Sequence, residues 1–198
     1  MTQQERSAAT REALLDAAIE CLIELGLERS STGEISERAG LSRGAHLHHF
    51  QTRAILIAAA IERLADRGIA DLAAAFEHLP EDDTRGEAAL DTMWGLFNTP
   101  LFQCALALAV HAQTDPELHE ALGPIEALSD RSLPWLRLAF AGSTDARSAD
   151  EYIRIAAAMI RGVSVMALLE RSDRATRHWA ACRAHLVALL HAQDFAAA

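Results

Sequence analysis

Arg43, Gly44, Leu47 and His48 are spaced so that one short helix brings them to a single face, opposite Phe50. An arginine fork in the first turn of such a helix can pair with O6 and N7 of a guanine. Gly44 permits close approach, and the methyl of Ala45 or the side chain of Leu47 suits a thymine methyl. His48, His49, Thr32 and Arg53 are suited to holding phosphates, helped by helix N-termini at Thr32 and Thr52. This is the chemistry of reading a duplex edge and gripping its backbone.

The elements that must position these residues lie between Ser31 and Arg53, which reads as two short helices joined by a tight turn. Ser31 with Glu34 three residues on predicts a capping box at the start of the first helix. Ser36 and Gly40 keep the crossing close, and Gly40 can take the left-handed conformation that ends the helix. Ser42 is a natural N-cap for the second helix, and Ile35, Leu41 and Phe50 supply the apolar contacts. The pattern is a helix-turn-helix, with an ordinary helical hairpin as the competing account. His46, four residues before Phe50, is expected to lean inward. His46 and His49 at i and i+3 make only half a metal site, and no third ligand is evident.

A helix from Thr10 to Leu25, this motif, and an aromatic residue followed by a capped long helix together resemble the TetR/AcrR family of one-component regulators. The matching residues are Ala39-Gly40-Leu41-Ser42-Arg43-Gly44-Ala45, then His48-His49-Phe50, then Thr52-Arg53, within Ser7 to Arg53. Two positions depart from the family pattern. Leu47 stands where Tyr is common, and His46 where an apolar residue is usual. The resemblance implies a three-helix DNA-binding unit. It also implies a helical second part whose helices enclose a ligand cavity and whose last two helices form a four-helix dimer interface.

Composition sets the outer bounds. Of 198 residues, 51% are hydrophobic and 5% aromatic, with alanine and leucine dominant, which favours helices over sheets. The net charge is −10, and all 18 basic residues are arginine. That balance argues against a protein that coats nucleic acid nonspecifically. Up to Arg53 there are six arginines against eight acids, so phosphate affinity requires local clustering. Cys21, Cys104 and Cys182 are far apart in apolar helical patterns and are expected to be reduced core residues. No leader and no apolar run of membrane length is seen, and the expected location is the cytoplasm. No Gly-rich phosphate loop, nucleophile motif or Cys/His metal spacing is present, so neither an enzyme nor a cofactor is expected.

Along the chain, Met1 to Arg6 reads as a polar arm, and residues 8–25 as an amphipathic helix. Thr52 caps a helix expected to run from Arg53 to about His78, with Gly68 as a bend. Thr84 and Glu87 predict a second capping box, followed by helices opening at Thr99-Pro100 and Asp115-Pro116. Residues 117–140 read as one kinked helix or two short ones, and residues 141–144 as a loop. Asp150 to Arg171 is apolar nearly all round, and a last helix spans about Arg174 to Gln193. The fold class is all-α, with a helix-turn-helix domain over 1–53 and a ligand-binding and dimerisation domain over 54–198.

Met93, Trp94, Phe97, Phe102, Leu106, Trp135 and Met159 are the candidate ligand residues under the resemblance, with simple core packing as the competing account. Small Ala156, Ala157, Ser164 and Ala167 suit a close helix seam in a dimer. The function expected is a dimeric regulator, most often a repressor, that binds a near-palindromic DNA operator and answers to an apolar or aromatic small molecule. The rival is a helical ligand-binding or adaptor protein whose helix-turn-helix no longer binds DNA.

Overall fold

The computed structural model describes residues 2–42, 44–140, 146–169 and 174–194. Among them are ten α-helices, one 3₁₀ turn and no strand. The described chain is thus all-α, as expected. The helices fall into two compact units, each with its own core.

The first unit comprises residues 1–68 and 100–128. Its helices are α1 (Gln3–Leu25), α2 (Thr32–Arg38), the first part of α3 (Arg53–Glu77), α5 (Pro100–Ala112), α6 (Pro116–Ala121) and α7 (Gly123–Glu126). The 3₁₀ turn Ala45–His48 lies between α2 and α3. Leu14, Ala18, Ile35, Phe50, Leu56, Ile61 and Leu108 form a core closed to solvent. Each Leu, Ile or Phe side chain of this set contributes about 1.5–3 kcal/mol on burial. The units of packing therefore differ from the two-part division expected at residue 53, because 54–68 and 100–128 pack with the N-terminal helices.

Of the residues expected to form a polar arm, 3–6 are helical. Thr2 caps α1, its hydroxyl accepting from Glu5 N–H at 3.2 Å while Glu5 Oε2 accepts from Thr2 N–H at 2.8 Å. That reciprocal box satisfies two end donors and starts the helix at Gln3. The capping box expected at Ser31 is only half present. The Ser31 hydroxyl accepts from Glu34 N–H at 3.2 Å, but Ser31 N–H donates to the Arg29 carbonyl at 2.9 Å instead of to Glu34. Asp115 caps α6 through Leu118 N–H at 3.1 Å, with Pro116 in the first turn as expected.

The second unit comprises residues 69–99 and 129–198. It holds the last part of α3, α4 (Arg85–Phe97), nearly all of α8 (Leu128–Ala139), α9 (Ala146–Leu169) and α10 (Arg174–Asp194). The loop expected over 141–144 lies outside the described residues. Residues 117–140, left open between one helix and two, form three helical segments, with Pro134 inside α8. The core gathers Leu90, Met93, Phe140, Tyr152, Ile160 and Leu186. Tyr152 donates its hydroxyl to the Leu186 carbonyl at 2.9 Å and meets Phe140 edge-on, ring centroids 5.2 Å apart. Burial raises the Tyr152 pKa, so it remains a neutral donor.

The capping box expected from Thr84 and Glu87 is absent. Thr84 donates its N–H and hydroxyl to Asp82 Oδ1 at 2.9 and 2.5 Å, a local turn that draws its hydroxyl away from the helix. Glu87 instead joins Asp91 in holding Arg183 of α10, at 3.3 Å from Glu87 and 2.7 and 2.8 Å from Asp91. Gly86 lies where α10 comes close: a β-carbon there would stand 2.5 Å from Leu190 Cδ2.

Candidate nucleic-acid interface

The interface begins with how α2 ends. Gly40 has φ +69°, a left-handed residue that lets Leu41 N–H donate back to the Ser36 carbonyl at 2.9 Å. The chain then reverses into the 3₁₀ turn. Ser42, expected to cap a second α-helix, does not do so. Gly44 precedes the first residue of the turn and makes no side-chain cap. The reason is local: Gly44 weakens helix at its start, and the tighter Leu47 N–H to Gly44 carbonyl bond, 3.2 Å, closes a 3₁₀ ring instead.

His46 turns inward as expected. It is 8% exposed, and Nδ1 comes within 3.4 Å of the Ser36 hydroxyl. Its carbonyl accepts from His49 N–H at 2.9 Å and Phe50 N–H at 2.7 Å, which fixes the exit of the turn. Phe50, 1% exposed, anchors the whole segment in the first core. With those two side chains inside, Leu47 is forced out and is 57% exposed. His48 is exposed and His49 half-buried. Arg43, the expected guanine reader, lies outside the described residues, as does the side chain of Ala45.

Thr52 caps α3 as expected, its hydroxyl accepting from Ile55 N–H at 3.2 Å. Arg53 has a task that sequence did not show. Its Nε donates to the Ser30 carbonyl at 3.0 Å and Nη2 to the Leu27 carbonyl at 2.5 Å. It thereby braces the α1–α2 loop. Thr32 opens α2 in the company of Glu34 and Glu37, two carboxylates that lower the potential there.

The acidic surplus of this unit is arranged. Glu12, Asp16, Glu20 and Glu24 recur every four residues on one stripe of α1. Arg38 takes Glu24 at 2.7 Å and reaches Glu20 at 4.0 Å. Arg63 pairs with Glu12 and with Asp16 at 2.9 Å, and Arg67 with Asp16 at 2.6 Å. At least these four of the eight acids before Arg53 thus have arginine neighbours among the described residues and bind the helices together. The four-residue spacing was visible in the sequence; the arginines that meet it were not.

Residues 14–60 match the profile described as "Bacterial regulatory proteins, tetR family". Over 179 residues the chain is 30% identical to the HTH-type transcriptional regulator CymR of Pseudomonas putida, covering 86% of this chain and 85% of that one. This chain belongs to the tetR family. It is also 35% identical over 125 residues to an uncharacterised HTH-type transcriptional regulator of Mycobacterium tuberculosis, and that match spans 61% of this chain and 62% of the relative. A TetR-family regulator from Mesorhizobium loti has the same fold, with TM-score 0.74 at 18% identity over 96% of this chain and 98% of that one. Membership places the 3₁₀ turn in the family's helix-turn-helix segment.

The expected ligand residues divide between the units. Phe102 and Leu106 lie on α5 in the first, and Met93, Trp94, Phe97, Trp135 and Met159 in the second. Met93 is a core residue, 2% exposed. Trp94 stacks on Trp179, which was not among the candidates, with centroids 4.9 Å apart and planes 5° from parallel. The Arg161 guanidinium sits 5.6 Å over Phe97. A separate cavity of about 400 Å³ in the first unit is lined by Leu27, Arg53, Ile55, Ile57, Asp115 and Leu118, among others.

Two seam expectations are corrected. Ala156 and Ser164 face the core of their own unit, at 0% and 3% exposure, because α9 turns Tyr152, Ile153, Ile160 and Val163 the same way. Among the described residues no hydrogen-bond partner meets the buried Ser164 hydroxyl. The outward face of α9 carries Ile155, Ala158, Gly162, Val165 and Met166. No single helix among the described residues is long and apolar enough to cross a membrane.

Proposed function

We propose that this protein is a dimeric, DNA-binding transcriptional regulator, a repressor relieved by a small molecule. The observation that carries the reading is the turn 45–48. It is pinned from inside by His46 and Phe50, so that apolar Leu47 projects into solvent beside Gly44 and His48. An exposed leucine on a rigid, family-matched helix-turn-helix suits contact with a thymine methyl. Arg43 in the preceding position supplies the guanine fork. Ser42, Ala45, His48, His49, Thr32 and the Thr52-capped end of α3 complete the contact surface.

The dimer is supported by the two-sided character of α9. Its inner residues fill the core, while Ile155, Val165, Met166 and Leu168 stay exposed, as does Leu189 on α10. Two-fold pairing of that face calls for a near-palindromic operator, with half-sites one helical turn of about 34–36 Å, or a multiple, apart.

For the effector, the second unit offers Trp94, Phe97, Trp135 and Met159. Solved structures of the same fold include the multidrug binding protein EbrR complexed with proflavin and a regulator from Saccharomonospora viridis in complex with choline. Side chains of this chemistry suit an aromatic or apolar molecule. It acts only through a difference in affinity between two conformations, and about 1–3 kcal/mol of coupling lowers operator affinity some 5- to 150-fold.

The test is a binding-site selection from a random duplex pool with the purified protein. An inverted repeat should emerge. A pool that stays random after repeated rounds, with the protein folded, refutes DNA reading and leaves the ligand-binding rival.

A further inference from the structure

Arg11 stands on α1, a helix to which sequence assigned no DNA contact. Its guanidinium carbon lies 4.5 Å from the centroid of the Phe50 ring. Phe50 follows the turn residues His48 and His49, and two residues later Thr52 caps α3. The cation over Phe50 therefore lies next to the residue through which the chain leaves the turn.

Five other arginines described around this motif have different commitments. Arg38, Arg63 and Arg67 hold the acids of α1. Arg53 donates to the Ser30 and Leu27 carbonyls, and Arg29 Nε to the Leu25 carbonyl at 3.1 Å. Arg11 is exposed, and among the described residues no carboxylate pairs with it. A flat guanidinium resting on an aromatic face keeps its N–H edge free for a second, in-plane acceptor. A phosphate oxygen is the acceptor such an edge suits, and α1 lies outside the turn that reads bases.

We propose that Arg11 is a DNA-phosphate contact, oriented by the Phe50 ring. The inference rests on the DNA-binding reading above. It extends the interface from the helix-turn-helix to α1 and assigns Phe50 a positioning role in addition to its place in the core.

The experiment measures binding of the full-length protein to its selected operator, and to an unrelated duplex of equal length, by fluorescence anisotropy across a salt series. Each phosphate contact contributes close to one unit to the slope of log affinity against log salt, so one contact changes affinity about 3.5-fold between 50 and 200 mM salt. Arg11→Gln should lower the slope by about one unit on both duplexes, while Arg11→Lys should keep it. A purely structural role for Arg11 can shift affinity but leaves the number of released counterions unchanged. An Arg11→Gln slope equal to wild type overturns the proposal, whatever its affinity. A wild-type protein that binds neither duplex fails the parent reading and removes this one with it, whereas normal wild-type binding with an unchanged variant slope removes this one alone.

Discussion

The Ser36 hydroxyl and His46 Nδ1 meet at 3.4 Å inside the helix-turn-helix, joining α2 to the turn that follows it. Both residues are closed to solvent, so this polar contact lies in the interior of the first unit. Removing one partner leaves the other buried and unsatisfied. Ser36→Ala should therefore cost about 1–3 kcal/mol. Thermal unfolding checks it, and a variant as stable as wild type shows that the contact contributes nothing.

The Trp94–Trp179 stack gives a spectroscopic handle on the effector. A parallel pair contributes about 0.5–1.5 kcal/mol beyond its buried area. An aromatic ligand that enters the second unit should change tryptophan emission, and Trp94→Ala should remove most of that change while operator binding persists. An unaltered response in Trp94→Ala places the ligand elsewhere, with the groove beside Arg53 and Leu118 as the next position to examine.

Association through α9 is tested by Ile155→Glu with Val165→Glu. Both side chains are exposed in the single chain, so folding should survive and the dimer should not. Leu186, on the last helix, is the instructive contrast. It is fully buried in its own unit, and a charge there should unfold the protein rather than split it. Light scattering separates the cases, and a wild-type monomer at micromolar concentration contradicts the dimer.

The Arg137–Asp150 pair joins α8 to α9 through two hydrogen bonds of 2.6 Å. The Arg137 hydrogen bonds hold the Asp150 carboxyl below its ordinary value of 3.8. A depressed folded-state pKa means stabilisation that is complete above that value and lost as pH falls through the lower one. The stability difference between wild type and Asp150→Asn should therefore be constant from neutral pH to about pH 5 and shrink below 3.8. A difference that grows on acidification contradicts the assignment.

Much of this fold was legible because its signals are local. Gly40, Thr52, Asp115 and the period of α3 each specify a turn, a cap or a helix through neighbours in sequence. Where sequence misled, a nearby competitor took the polar group. Asp82 captured the Thr84 hydroxyl, Arg29 the Ser31 amide, and a 3₁₀ ring the helix expected after Ser42. What sequence left unseen are contacts between distant residues of equal local plausibility. Nothing near Arg11 points to Phe50, and nothing near Trp94 points to Trp179. Likewise the inward set on α9 includes Ala156 and Ser164, since an all-round apolar helix does not declare which side is core.

Sequence-selective DNA binding by the segment around Leu47 is the proposal on which the others depend. Anisotropy titration at one fixed salt concentration, comparing the selected operator with an unrelated duplex, measures it directly. Wild type should prefer the operator by at least about a thousandfold. Arg43→Ala should lose about 1–3 kcal/mol on the operator and little on the unrelated duplex, and Leu47→Ala should relax preference at one A·T position. Equal wild-type affinity for the two duplexes, or an Arg43→Ala protein with undiminished preference, contradicts the claim.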